Sequence, residues 1–190
     1  MTGDRGSDPL LETDRLLLRP PRAEDVPGVH EAIGDPEVMR YIGRGETGTA
    51  ADAVAQVERI QRQWAEEGFG RFMVVRKEDG DLLGRVGLLA WDPAGWRSGL
   101  RSEIGERAEV ELGWTLVRRA WGLGYATEAA AAVRDWAFRE VRPHRLISLI
   151  HPDNERSLRV AARLGERYER TITTHLGMPA ELWTFPDEDR

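Results

Sequence analysis

The sequence predicts an α/β (α+β) fold: a mixed, mostly antiparallel central sheet with helices on both faces. Several strand-like segments are joined by turns too short to hold a helix, which calls for antiparallel hairpins. Helical periodicity recurs before, among and after these strands, so both faces of the sheet have a cover. A strand, a tight glycine turn and an alanine-rich helix also follow one another directly over residues 108–140.

The elements follow in chain order. Residues 15–20 read as a strand closed by Pro20, 23–33 as a helix ended by Gly34, and 36–42 as a short helix opened by Pro36. Residues 49–67 carry helical spacing between Thr49 and the stop at Gly68. The segments 72–77 and 82–91 flank Glu78-Asp79-Gly80-Asp81 as a hairpin, and 108–116 is the next strand after a loop containing Gly and Arg. The helix 126–140 places Ala126, Ala129, Ala130, Val133 and Ala137 on its buried stripe. An apolar strand at 146–150, a helix at 154–164 and a closing hairpin of 168–176 with 178–185 complete the chain. Residues 1–10 are expected to form a flexible tail and 11–190 a single domain.

The strand, glycine turn and helix that run through Arg119-Ala120-Trp121-Gly122-Leu123-Gly124-Tyr125-Ala126-Thr127 have the build of an anion site. Glycines at 122 and 124 let the backbone approach a phosphate, and the free N–H groups of the next helical turn point at it from the positive end of the dipole. A dinucleotide fingerprint would need glycine where the chain has Thr127, and a P-loop needs a lysine where the single lysine is Lys77. A nucleotide-binding protein using Gly122 and Gly124 is the alternative that predicts ATP or NAD as ligand. Downstream, Pro152 and Asp153 break a strand, and Asn154 caps a helix with Leu158, Ala161, Ala162 and Leu164 on one face and Arg156, Arg159 and Arg163 on the other. Asn154 and Ser157 fall on its first turn and could serve as capping residues alone.

The loop fits [Q/R]-x-x-G-x-[G/A] and resembles the pyrophosphate loop of the GNAT superfamily of acetyl-CoA-dependent N-acetyltransferases. The downstream segment, N-x-x-S opening a helix that ends in Leu164-Gly165, resembles the second signature of that superfamily. The opening Leu11–Pro20 run, Asp35-Pro36-Glu37-Val38-Met39-Arg40-Tyr41 and Glu111-Leu112-Gly113-Trp114 resemble the Rim-type branch, whose members acetylate N-termini of ribosomal proteins and whose relatives act on peptides and small amines. The chain departs from the branch at Glu166, where an aromatic is usual, and at Trp114, where tyrosine is usual.

The resemblance implies acetyl-CoA as co-substrate, no metal, and direct transfer to a primary amine, either a peptide N-terminus or a small molecule such as a polyamine or aminoglycoside. It implies coenzyme contacts at Thr115, Leu116, Arg119, Gly122, Leu123, Gly124, Tyr125, Ala126, Thr127 and Asn154. Ser157 would protonate the departing thiolate. Glu111 matches the acidic strand position and is the candidate general base, through water, with a solvated strand carboxylate or a binder of a cationic acceptor as its other readings. Gly113 suggests either a bulge where a strand parts from its neighbour or a packing glycine beneath a tryptophan. Tyr41, Trp91 and His175 are candidates for the acceptor pocket. His30, His144 and His151 lack metal-ligand spacing, and Trp64 and Trp136 read most simply as core.

Composition bounds the rest. A hydrophobic content of 41% in 190 residues supports a sizeable core, and a net charge of −6 without a basic cluster argues against a nucleic-acid binder. With no cysteine there is no disulfide, thiolate metal site or cysteine acyl-enzyme. No apolar run reaches membrane-span length and the start lacks a signal-peptide core, so the expectation is a cytoplasmic protein with no membrane partner, compatible with a homodimer. A non-catalytic acyl-CoA-binding regulatory module is the rival that keeps the fold and loses the reaction.

Overall fold

The computed structural model describes residues 10–186, so the expected tail over 1–10 lies outside the described residues apart from Leu10. One sheet of nine strands runs through them. The strands are β1 (Leu11–Glu12), β2 (Leu16–Arg19), β3 (Arg71–Arg76), β4 (Leu82–Asp92), β5 (Arg97–Gly99), β6 (Glu109–Leu116), β7 (Leu146–Ile150), β8 (Arg167–Thr173) and β9 (Pro179–Thr184). Their order across the sheet is β1-β2-β3-β4-β6-β7-β9-β8, with β5 paired to β4. Every pairing is antiparallel except β6 with β7.

The helices are α1 (Val26–Gly34), α2 (Pro36–Met39), α3 (Ala50–Glu67), α4 (Arg101–Ile104), α5 (Tyr125–Trp136) and α6 (Glu155–Leu164). On one face, Val86 and Leu88 of β4 and Val110 and Leu112 of β6 pack in the cluster that holds Ala129, Ala130 and Val133 of α5. On the other, Met73 of β3 packs with Val29 and Ile33 of α1 and Ala53, Val57 and Ile60 of α3. Alternate residues of the central strands thus serve opposite layers, so β3, β4 and β6 are buried in continuous runs rather than at every second residue.

Local chemistry explains the element boundaries. α3 begins in a capping box, with Asp52 N–H donating to Thr49 Oγ1 at 3.2 Å and Thr49 N–H to Asp52 Oδ2 at 2.7 Å, and it ends at Gly68 with φ +69°. The helix expected from 23 begins as a 3-10 turn, because Pro27 cannot donate and is accommodated only in the first turn of α1. The helix expected to reach 140 is regular only to Trp136 and widens into one π turn over Ala137–Val141 before Arg142 takes φ +48°. β1, β5 and α4 are additions to the expected set, all too short to leave a period. Trp64 and Trp136 pack on Phe72 at 4.8 and 5.1 Å between ring centroids, as core tryptophans should.

Candidate active site

β6 and β7 are hydrogen-bonded only at Val110↔Leu146 and Glu111↔Ile147, although β6 continues to Leu116. Ser148 marks the parting point: its hydroxyl lies 2.8 Å from Leu112 O and 2.9 Å from Glu166 Oε1. Beyond it the strands diverge, and a cleft of about 690 Å³ opens between the end of β6, the start of α5, the start of α6 and the segment after α2. Gly113 pairs regularly with Gly87 on β4, so the parting occurs without a bulge in β6.

The glycine loop forms one wall. Gly122 has φ +75° and Gly124, the N-cap of α5, has φ +83°, a backbone region that glycine enters without strain. The first backbone bond of the helix runs from Glu128 N–H to Gly124 O, so the amides of Tyr125, Ala126 and Thr127 have no helical acceptor. Gly122, Gly124, Ala126 and Thr127 line the cleft, as do Thr115 and Leu116. The loop is braced from behind by the β1–β2 turn. Arg15 Nη1 donates to Leu123 O at 3.0 Å, Arg15 Nε and N–H donate to Glu128, Thr13 Oγ1 reaches Glu128 at 2.5 Å, and the Arg15 guanidinium lies 4.4 Å from the Tyr125 ring centroid.

α6 forms the opposite wall. Asn154 Oδ1 accepts the Ser157 N–H at 3.2 Å, so Asn154 is a genuine N-cap. Trp114 Nε1 donates to Ser157 Oγ at 3.3 Å, which fills an acceptor lobe of the hydroxyl and leaves its own proton free to be donated. Asn154 and Ser157 both line the cleft, together with Arg156, Arg159 and Arg163. These arginines face the opening, with Arg156 stacked 4.4 Å from the Trp121 ring centroid and Arg159 bonded to Glu155 at 3.2 Å. Ala162, expected on the buried face of the helix, is exposed.

Other expected contacts fall elsewhere. Arg119 does not line the cleft: it donates to Asp81 Oδ1 at 2.7 Å, to Leu82 O at 3.2 Å and to Glu31, which ties the base of the loop to the β3–β4 turn and α1. Leu123 is exposed beside the cleft, and Tyr125 is buried beneath Arg15. Because Arg119 is bound to half-exposed carboxylates, Arg119→Ala should lower stability by about 1 kcal/mol or less and change CoA affinity under about threefold; calorimetry and titration together check this.

Glu111 is 9% exposed and lies on the face of the sheet that packs on α1 and α3. Trp91 Nε1 donates to its Oε2 at 2.7 Å, and its carboxyl lies 3.6 Å from where a Cβ on Gly113 would stand. Burial pushes this carboxyl above the usual range, opposed by Arg71, the Trp91 indole, the Leu149 backbone and Arg85. Trp91 and His175 are neighbours, 6.5 Å between ring centroids, and His175 Nδ1 is 2.9 Å from Trp96 O. Tyr41 is apart from them, lining the cleft beside His151, 5.1 Å between ring centroids. Among the described residues no cluster of three or more His, Asp or Glu could hold a metal, and no helix is long and apolar enough to cross a membrane.

Residues 15–167 match the family described as Acetyltransferase (GNAT) domain. The chain is similar to an uncharacterized N-acetyltransferase, YnaD, of Bacillus subtilis, with 31% identity covering 91% of each chain. It is also similar to the crystal structure of a GNAT-family acetyltransferase from Bacillus anthracis, with TM-score 0.75, 25% identity, and 95% of this chain and 99% of that one covered. The fold alone further matches AAC(6')-Ib solved with ribostamycin and coenzyme A, with TM-score 0.72, 20% identity, and 92% and 95% of the two chains covered.

Proposed function

We propose, because this chain belongs to the GNAT family of acetyltransferases, that it moves an acetyl group from acetyl-CoA directly to a primary amine. The observation that carries the reading is the cleft where β6 and β7 part, walled by free amides of α5 on one side and by Ser157 on the other. The α5 amides and the arginines of α6 suit the pyrophosphate and phosphate of the coenzyme. In the gap, backbone groups of β6 that have lost β7 can pair with the amide-bearing pantetheine arm. The amine nitrogen bonds to the acetyl carbon as the carbon–sulfur bond breaks; Glu111 takes the amine's proton through water, and Ser157 supplies one to the sulfur.

The test is acetyl-CoA turnover against N-terminal peptides, polyamines and aminoglycosides, followed by mass spectrometry of the products. Thiol release with an acetylated amine supports the reading. Tight acetyl-CoA binding without release for any amine would leave a non-catalytic acyl-CoA-binding module.

Asn154 and Ser157 should differ in kind. Ser157→Ala should lower kcat by on the order of 10²-fold with the KM for acetyl-CoA little changed, since a proton donor acts as the thiolate leaves. Asn154→Ala should raise that KM and also lose an N-cap worth about 1 kcal/mol. Asn154→Asp keeps the capping oxygen and removes the amide donor, so a raised KM with unchanged thermal stability assigns Asn154 to the coenzyme. If KM follows stability across both variants, capping accounts for the residue.

A further inference from the structure

We infer that the acceptor is an amine carrying an acid group, a carboxylate or phosphoryl near its nucleophilic nitrogen, received by Arg85 and Arg71 beside Glu111. This rests on the acetyl-transfer reading and names the acceptor class for it.

The placement comes from strand register. Met73, Arg85 and Thr115 form one row across β3, β4 and β6; Arg71, Gly87 and Gly113 form the next; Leu89 and Glu111 form a third. Cross-strand partners share a face, so Arg71, Arg85 and Glu111 emerge together on the side where Met73 meets α1 and α3. The middle row has glycine on both β4 and β6, so those strands put no side chain of that row between Arg85 and Glu111. A Cβ at Gly87 would stand 2.4 Å from Arg71 Cα, so this glycine is what lets Arg71 lie so close. Thr115, the β6 partner of Arg85, lines the large cleft, while Arg71, Arg85 and Glu111 lie behind that lining on the same face of the sheet.

Arg85 is 8% exposed, and its Nη1 is buried with no hydrogen-bond partner among the described residues. A guanidinium does not shed its proton in a protein, and a buried one with an idle N–H is costly unless something completes it. Arg71 and Arg59 are close enough to repel Arg85, and among the described residues Glu111 is the carboxylate whose charge opposes them at Arg85. Two guanidinium groups, Arg71 and Arg85, against the single Glu111 carboxylate beside them leave a positive remainder on the face that holds the candidate base, while the exposed Arg59 shares its surroundings with Glu46 and Asp52. An acid group on the acceptor supplies both the missing charge and the missing hydrogen-bond acceptor, in the planar geometry a guanidinium favours. A polycationic amine meets repulsion at the same place.

The test uses the wild-type chain with acetyl-CoA and amines paired by the acid group, with rates compared per neutral amine because the acid group also raises the amine's pKa: α-amino acids against their amides, and phosphoethanolamine against ethanolamine, with spermidine as polycation. The acid-bearing member of a pair should have the higher kcat/KM by about tenfold or more, and the pair that shows it tells carboxylate from phosphoryl. Arg85→Met should bring that ratio close to one, and Arg85→Lys should restore part of it. Should Arg85→Met fold poorly, Arg71→Met at the half-buried neighbour serves the same comparison. Isothermal titration of the same amines into the CoA-loaded protein reads the preference without turnover, so a chain that binds acid-bearing amines yet transfers nothing overturns the transfer reading alone. Equal or stronger use and binding of the neutral or polycationic amines overturns the inference.

Discussion

Gly124→Glu should abolish CoA binding in a chain that still folds. In the wild type, CoA at about 100 times its dissociation constant should add roughly 2.7 kcal/mol and raise Tm by roughly 5–10 °C. The variant should show no rise. Gly124 has φ +83° and caps α5 at the point where the amides of Tyr125, Ala126 and Thr127 are free, so a side chain there costs about 1–2 kcal/mol of backbone strain. A Cβ would stand 3.4 Å from Arg15 Nη2, which gives the new carboxylate a partner and fixes a negative charge at the anion site. Gly124→Ala separates the two effects: it should carry the strain and keep a reduced CoA-dependent rise. A full rise with CoA in Gly124→Glu, or a rise in the wild type with ATP or NAD and none with CoA, would exclude this loop as a pyrophosphate site.

The glycine loop was legible because its signal is local: two glycines, a strand before them and a helix after them decide the conformation whatever surrounds them. Asn154 and Ser157 were legible for the same reason, since an N-cap and its first turn are set within four residues. The brace behind the loop was not. Arg15 and Glu128 are 113 residues apart and neither stands out among the other charges of the chain. The arginines of α6 were placed on a polar face, and the amphipathic pattern that placed them could not say whether that face looked onto solvent or onto a cleft. The parting of β6 and β7 entered through the resemblance at Gly113 alone, since it is a matter of register between strands separated by a helix, which periodicity cannot supply. Arg85 did leave a trace, as a charged residue inside an apolar strand, but its significance depends on Arg71 and Glu111 arriving on the same face.

The stability of the wild type should fall as pH rises between about 4.5 and 8, and Glu166→Gln should remove that part of the fall. Glu166 follows Gly165, whose N–H bonds to Ala162 O while Glu166 N–H bonds to Ala161 O. This Schellman turn ordinarily sends an apolar residue inward at that position, and here it sends a carboxyl to 4% exposure. Burial pushes the group from 4.5 up to about 8, partly offset by the Ser148 hydroxyl. Ser148 has one proton: given to Leu112 O, it leaves the hydroxyl oxygen to accept from a protonated Glu166, and given to Glu166, it stabilises the carboxylate, which is the offset. A raised carboxyl means that the folded state binds more protons than the unfolded one throughout the interval. The stabilisation is therefore complete below about 4.5 and lost as pH passes about 8. At pH 9 Glu166→Gln should exceed the wild type by on the order of 3–5 kcal/mol, and at pH 4 the two should be close. Denaturant melts of both proteins across this range isolate the effect, because every other titrating group is common to the pair. A difference that stays constant with pH would mean that Glu166 is already ionised in the folded chain. Since Ser148 and Leu112 O mark the last tie between β6 and β7, ionisation should also loosen the rim of the cleft, and the wild type's KM for acetyl-CoA should rise above pH 8 more steeply than that of Glu166→Gln.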